Sequence, residues 1–276
     1  MGLRIYNNVE AQNAHRVLNN TNAQLGKAME RLSSGLRINR AADDAAGLAV
    51  SEVMRSQIRG MSVASRNAQD GVSMVQVADG ALGNVGDMLQ RVRDLAVQAS
   101  NGTLTDAQRA NLDTEVQQIL TEIGKTGTDT EFNGIKILAG SVATAASAVT
   151  LQVGANGNQT IGFTIATVST SDLGISGIAV SSAASASAAI ASLDAAISTV
   201  TTNRASLGAI QNRLEHTINR LGLTSENLQA AESRIRDADM AQEMIAFTKQ
   251  QILQQSGTAM LAQANQAPQS VLSLLR

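Results

Sequence analysis

The chain has 276 residues, 21 Lys and Arg against 23 Asp and Glu, a net charge of −2 and a pI near 5.7. That balance offers no basic excess for phosphates and argues against a nucleic-acid partner, while the absence of cysteine excludes disulfides and thiolate metal sites. Only Tyr6, Phe132, Phe163 and Phe247 are aromatic although 43% of residues are hydrophobic, which favours narrow helix–helix seams over a thick core with an aromatic-lined pocket.

The first segment carries Ala11, Ala14, Leu18, Thr21, Leu25, Ala28 and Leu32 in alternating steps of three and four, the spacing of a coiled-coil seam. Ser33-Ser34-Gly35 is predicted to end it, because glycine tolerates the left-handed cap conformation. The opening M-G-L-R-I-Y-N-N-V-E lacks the hydrophobic run of a signal peptide. Asp43-Asp44 can cap a second helix, with Arg37 and Arg40 near in sequence to neutralise them. Its stripe runs through Ile58, Met61, Ala68, Val72, Val75, Ala78, Leu82, Val85, Leu89, Val92, Ala96 and Ala99, and Asn101-Gly102 stops it. Such a helix spans about 85 Å at 1.5 Å per residue, long for an ordinary globular domain.

Thr105-Asp106 can cap a third helix with Leu112, Val116, Ile119, Leu120 and Ile123 on its apolar side. Gly124, Gly127 and F-N-G-I-K-I-L read as irregular. Leu151, Val153, Ile161, Phe163 and Ile165 alternate with polar or small residues around Asn156-Gly157, the pattern of a β-hairpin over about 150–166. Residues 169–189 read as a Ser-, Ala- and Gly-rich loop. The helical period returns at Ile190, Leu193, Ile197, Val200, Leu207, Leu214, Ile218 and Leu221, with Arg204 and Gln211 in the two missing places.

The last segment steps through Leu253, Gly257, Met260, Ala264, Ala267, Val271 and Leu274, and no charged residue lies between Lys249 and Arg276. Pro268 is expected to weaken or bend this helix. The fold class is therefore mainly α: a long α-helical coiled-coil bundle with a small β-hairpin region and paired N- and C-terminal helices. Leu18, Leu25, Leu32, Leu253, Met260, Val271 and Leu274 are the expected packing residues of those helices. A lone helix with two seam residues per heptad does not offset its ordering entropy. Both ends are thus expected to order only on assembly.

Motifs of chemistry are missing. His15 and His216 have no metal-ligand partner at helical spacing, and H-E-x-x-H, G-x-x-x-x-G-K-[ST] and G-x-G-x-x-G do not occur. No enzyme activity, metal or cofactor is expected. The apolar stretches are interrupted by Gln, Ser and Asn, so no membrane span of roughly 20 residues is expected. The tail also lacks the Lys and Arg of a membrane-surface helix.

Leu32 to Glu52 (L-S-S-G-L-R-I-N-R-A-A-D-D-A-A-G-L-A-V-S-E) resembles the N-terminal signature of bacterial flagellin. L-Q-R-V-R-D-L-A-V-Q-A-S-N-G (Leu89 to Gly102), F-N-G-I-K-I-L, A-E-S-R-I-R-D-A-D-M-A-Q-E-M (Ala231 to Met244) and the closing L-A-Q-A-N-Q-A-P-Q-S-V-L-S-L-L-R are similar to it too, in family order. The resemblance implies a structural subunit that self-assembles into the extracellular flagellar filament for swimming motility. It would be exported unfolded without a cleaved signal peptide and polymerised at the distal end. The hook–filament junction protein, which shares the terminal helices, is the alternative. The implied domains are 1–40 with 240–276 as the inner coiled coil, and 41–239 as a helical rod. Gly35 would be the bend between the shells, and residues 140–189 are too few for a separate outer domain. Implied partners are copies of the chain, an export chaperone at the C-terminal helix, filament cap and hook-junction proteins, and the vertebrate Toll-like receptor for flagellin. The positions implied for that receptor are Gln90, Arg91, Leu95, Gln98 and Glu115.

Overall fold

The computed structural model describes residues 7–144 and 147–274, with side chains as far as Gln266. The elements in chain order are α1 (Val9–Ser34), α2 (Ala45–Ser100), α3 (Asp106–Asp129), β1 (Glu131–Phe132), β2 (Ile135–Lys136), β3 (Val149–Gln152), β4 (Thr160–Phe163), α4 (Ala183–Arg236) and α5 (Met240–Leu274). The chain is mainly α with two small antiparallel hairpins, β1–β2 and β3–β4. It divides into two compact units, Met1–Ser56 with Asn227–Arg276, and Gln57–Glu226.

The first unit is built on α1 and α5. Asn8 Oδ1 accepts from the Ala11 amide and caps α1. Gly35, at φ 70°, ends it by donating its N–H to Arg31 O, a left-handed cap that costs glycine little. The two helices run antiparallel. Arg31 faces Glu243 at 3.9 Å, Gln250 donates to Gln24 at 2.7 Å, and Asn8 Nδ2 donates to Ala264 O at 2.8 Å. Between these contacts a Cβ added to Gly257 would lie 3.2 Å from Leu18 Cδ1. The α5 partners recur a heptad apart, the repeat of a coiled coil. Each chain end thus has the other as a partner within the chain. The helix continues through Pro268 to Leu274, and the side chains of Val271 and Leu274 lie outside the described residues.

The expected domain borders near 40 and 240 coincide with the links α1–α2 and α4–α5, whereas the units divide inside α2 and α4. The reason is that the two links are tied together. Leu36 and Asp237 form an antiparallel bridge. Arg37 N donates to Arg236 O at 2.7 Å, Arg37 Nη2 to Ile235 O at 2.6 Å, and Ala238 N to Gly35 O at 2.9 Å. Gly35 accordingly sits inside the first unit. Asp44 caps α2 by accepting from the Gly47 amide at 2.9 Å. Asp43 accepts from the amides of Arg40 and Asn39, and the Arg40 amide chiefly holds its carboxyl below the usual range. Arg40 pairs with Glu30 at 2.9 Å rather than with the aspartates.

In the second unit α2 supplies the spine. From Gln57 to Ser100 it belongs to this unit, and Ala68, Val75, Ala78, Leu82, Val85, Leu89, Val92, Ala96 and Ala99 are all buried. On α3, a capping box between Thr105 and Gln108 starts the helix, and Val116, Leu120 and Ile123 face inward. F-N-G-I is not irregular: Asn133 (φ 51°) and Gly134 (φ 77°) form the two-residue turn of β1–β2, the geometry that Asn-Gly favours. β3 and β4 pair in the register Leu151↔Ile161. The segment read as loop sends Leu173, Ile175, Ile178 and Val180 into the core before Ser182 caps α4 through the Ser185 amide.

The buried face of α4 runs Ala186, Ala189, Leu193, Ala196, Val200, Leu207, Leu214, Thr217 and Leu221. The leucine register matches the sequence reading, and Ile190, Ile197 and Ile218 pack half-buried against the core, but a more inward set of alternate positions falls one residue earlier. Alanines, Asn203 and Thr217 occupy them, and Arg204 instead pairs with Asp79 at 2.9 Å. One window of α4 reaches a mean hydropathy of 1.3, enough by length and composition to cross a membrane, contrary to the expectation of no such span. Leu193, Leu207, Leu214 and Leu221 of this helix are buried within the chain.

Asn203 lines a cavity of about 130 Å³ with Leu82, Ala143, Thr164, Ile165, Ser206 and Leu207, and its buried Nδ2 has no protein partner.

Candidate assembly surface

Six large apolar residues of α5, namely Met240, Met244, Ile245, Ile252, Leu253 and Met260, are exposed, whereas Phe247 and Leu261 are half-buried. Met244, Ile245, Ile252 and Leu253, with Thr248 and Lys249, line an open apolar trough of about 490 Å³. Leu253 and Met260, expected on the seam between the terminal helices, are 44% and 65% exposed. Gly257 and Ala264 of that expected seam do meet α1, as do Glu243 and Gln250. Small and amide side chains at these places let the backbones draw together and keep hydrogen bonds. On α1, Leu18, Leu25 and Leu32 are half-buried while Val9, Val17 and Met29 are exposed. Val50 and Val53, in the first turns of α2, are exposed in the same unit. Exposed apolar area of this extent marks an interaction surface.

Lys249 is the one charged residue lining the trough, and several charges of this unit pair with one another. Arg236, largely buried, donates to Glu52 at 2.7 Å, and Arg55 bonds the same carboxylate oxygen at 3.1 Å. The Arg236 hydrogen bond is the main reason the Glu52 carboxyl titrates below its ordinary value. Sequence spacing carried no signal for this pair, because its members are far apart in the chain.

The positions implied for a receptor lie in the second unit. Gln90 and Gln98 are exposed. Arg91 donates from Nε and Nη2 to Glu115 Oε1 at 3.0 and 2.7 Å, joining α2 to α3. Leu95 is only 2% exposed and belongs to the core, so it is not part of the surface the other four form. His15 meets Asn19 at 3.2 Å, His216 is exposed, and no group of three metal-ligating side chains occurs among the described residues.

Antiparallel chain ends, long helices and exposed apolar residues on α5 define a helical protein with a surface left for a partner. Comparison with known proteins agrees. The model of the bacterial flagellin N-terminal helical region matches residues 5–143, and that of the C-terminal helical region matches 190–275. The chain is 49% identical over 284 residues to the flagellar filament 33 kDa core protein of Treponema phagedenis and 52% identical over 274 residues to a flagellin of Halalkalibacterium halodurans. Both alignments cover 99% of each chain. The crystal structure of Bacillus cereus flagellin is 32% identical, covering 56% of this chain and 88% of that one, at a TM-score of 0.49. The chain belongs to the bacterial flagellin family.

Proposed function

We propose that the chain is the structural subunit of an extracellular flagellar filament, polymerising through the outer face of its paired terminal helices. The observation that carries this is the apolar face of α5, exposed in a chain whose relatives are filament proteins along nearly their whole length. No observation favours the hook–filament junction alternative. Negative-stain electron microscopy before and after adding filament seeds or ammonium sulfate tests the reading. Long filaments of uniform width are expected, and persistent monomer in the presence of seeds would overturn it.

Before assembly the same face must be shielded, and an export chaperone that binds α5 would cover the trough at Met244–Leu253. The filament cap and the hook-junction proteins would meet the subunit at the distal and proximal ends. Recognition by the vertebrate Toll-like receptor for flagellin would use Gln90, Arg91, Gln98 and Glu115, with Leu95 supporting them from beneath. Arg91→Glu places two carboxylates against each other. It is expected to raise the concentration for half-maximal receptor signalling by about tenfold, the equivalent of 1.4 kcal/mol. Unchanged signalling by the folded variant would remove the patch from the proposal.

A further inference from the structure

We propose that Met29, Met240, Met244 and Met260 are oxidation-sensitive positions: their conversion to sulfoxides by a peroxide-class oxidant closes the unassembled chain to polymerisation. This rests on the assembly reading above. The chain has nine methionines and no cysteine, so thioethers are its only easily oxidised sulfur. These four are 47–65% exposed and all belong to the first unit. In the second unit Met74 is 4% exposed, and Met61 and Met88 are half-buried. Among the described residues the most exposed sulfur thus lies in the first unit, whose Met54 is half-buried, and Met244 stands in the trough beside Ile245, Ile252 and Leu253.

The chemistry balances with hydrogen peroxide as the co-reactant. The thioether sulfur attacks one peroxide oxygen, the O–O bond breaks, and a sulfur–oxygen bond forms. Sulfur loses two electrons, and the other oxygen leaves as water after taking up the proton. The product is a polar sulfoxide on a flexible side chain. In water it is readily solvated. Against another apolar helix face it must be buried without a donor, which is unfavourable. Packing that buries the four thioethers would in turn protect them, so sensitivity is a property of the free subunit.

The experiment treats the monomer with hydrogen peroxide, maps oxidation by peptide mass spectrometry, and measures the critical concentration for seeded polymerisation. Met29, Met240, Met244 and Met260 are expected to oxidise before Met74. The critical concentration is expected to rise at least about tenfold, and methionine sulfoxide reductase is expected to restore it. A variant with all four replaced by Leu, a volume-conserving change, should polymerise and resist peroxide, whereas Met74→Leu should remain sensitive. Oxidised protein that polymerises at an unchanged critical concentration would overturn the proposal, as would equal inhibition of the fourfold Leu variant. If untreated protein fails to add to seeds, the filament reading itself falls. The oxidation order then decides alone, and Met74 reacting as fast as Met260 would overturn the proposal.

Discussion

Ile245→Asp combined with Met260→Asp is expected to abolish filament formation at concentrations where the parent chain assembles. Both side chains are more than 60% exposed in the single chain, and neither position takes part in the contacts that join α5 to α1. Burying each would contribute about 1.5–3 kcal/mol. Losing both removes about 3–6 kcal/mol, or roughly 10²–10⁴ in critical concentration at 1.4 kcal/mol per decade. Placing a carboxylate in an apolar interface adds further cost. Sedimentation after seeding reads the effect, and far-UV circular dichroism should show the helices retained. Pelleting at the parental concentration would show that this face is not the interface.

Arg109→Met is expected to destabilise the second unit by about 3 kcal/mol. The Arg109 side chain is 8% exposed. Its Nε donates to Ala99 O at 2.9 Å and its Nη2 to Asn101 O at 3.0 Å. These carbonyls stand at the end of α2, where the helix supplies no donors of its own. Hydrogen bonds from a charged group contribute about 1.5–3 kcal/mol each. The third bond, to Asp106 at 2.8 Å, reaches a carboxylate that is 91% exposed and adds little. Methionine keeps most of the volume, so the loss reports the donors. Arg109→Lys should recover only part of it, since an ammonium lacks the planar fork. Urea unfolding measures both, and a loss below about 1 kcal/mol for Met would show that water replaces the guanidinium.

The sequence made the long elements legible because their caps and periods agree. Thr105 and Gln108 form the capping box that Thr105 suggested, and the α2 stripe from Ala68 to Ala99 is the buried one. The register of α4 was half legible. Leucines at 193, 207, 214 and 221 declare their face, but alanine and isoleucine compete for the neighbouring position. Hydrophobicity selects Ile190 and Ile197, whereas close helix approach selects Ala189 and Ala196. On α5, Leu253 and Met260 are exposed in the single chain, while Gly257 and Ala264 of the same stripe meet α1. A periodic stripe says that a face will be covered, not whether the covering helix belongs to this chain or another. The ties between Leu36–Ile38 and Ile235–Ala238 are backbone bonds between distant segments, and side-chain patterns do not encode those. Leu95 shows the remaining gap: its residue type fits a recognition motif, while only the packing of α2 reveals which way it points.

Pairing the first helix with the last also sets an order of events. The hydrogen bond from Asn8 to Ala264 spans 256 residues of sequence, and closing so long a loop is slow compared with the local pairings of the second unit. That unit can fold from a chain whose tail has not yet arrived; the first unit cannot begin until it has. A stalled or clipped product would expose the unpaired seam of α1 and carry no trough. Formation of this unit thus acts as a test of completeness, and a polymer that adds subunits through it accepts only chains delivered to their final helix.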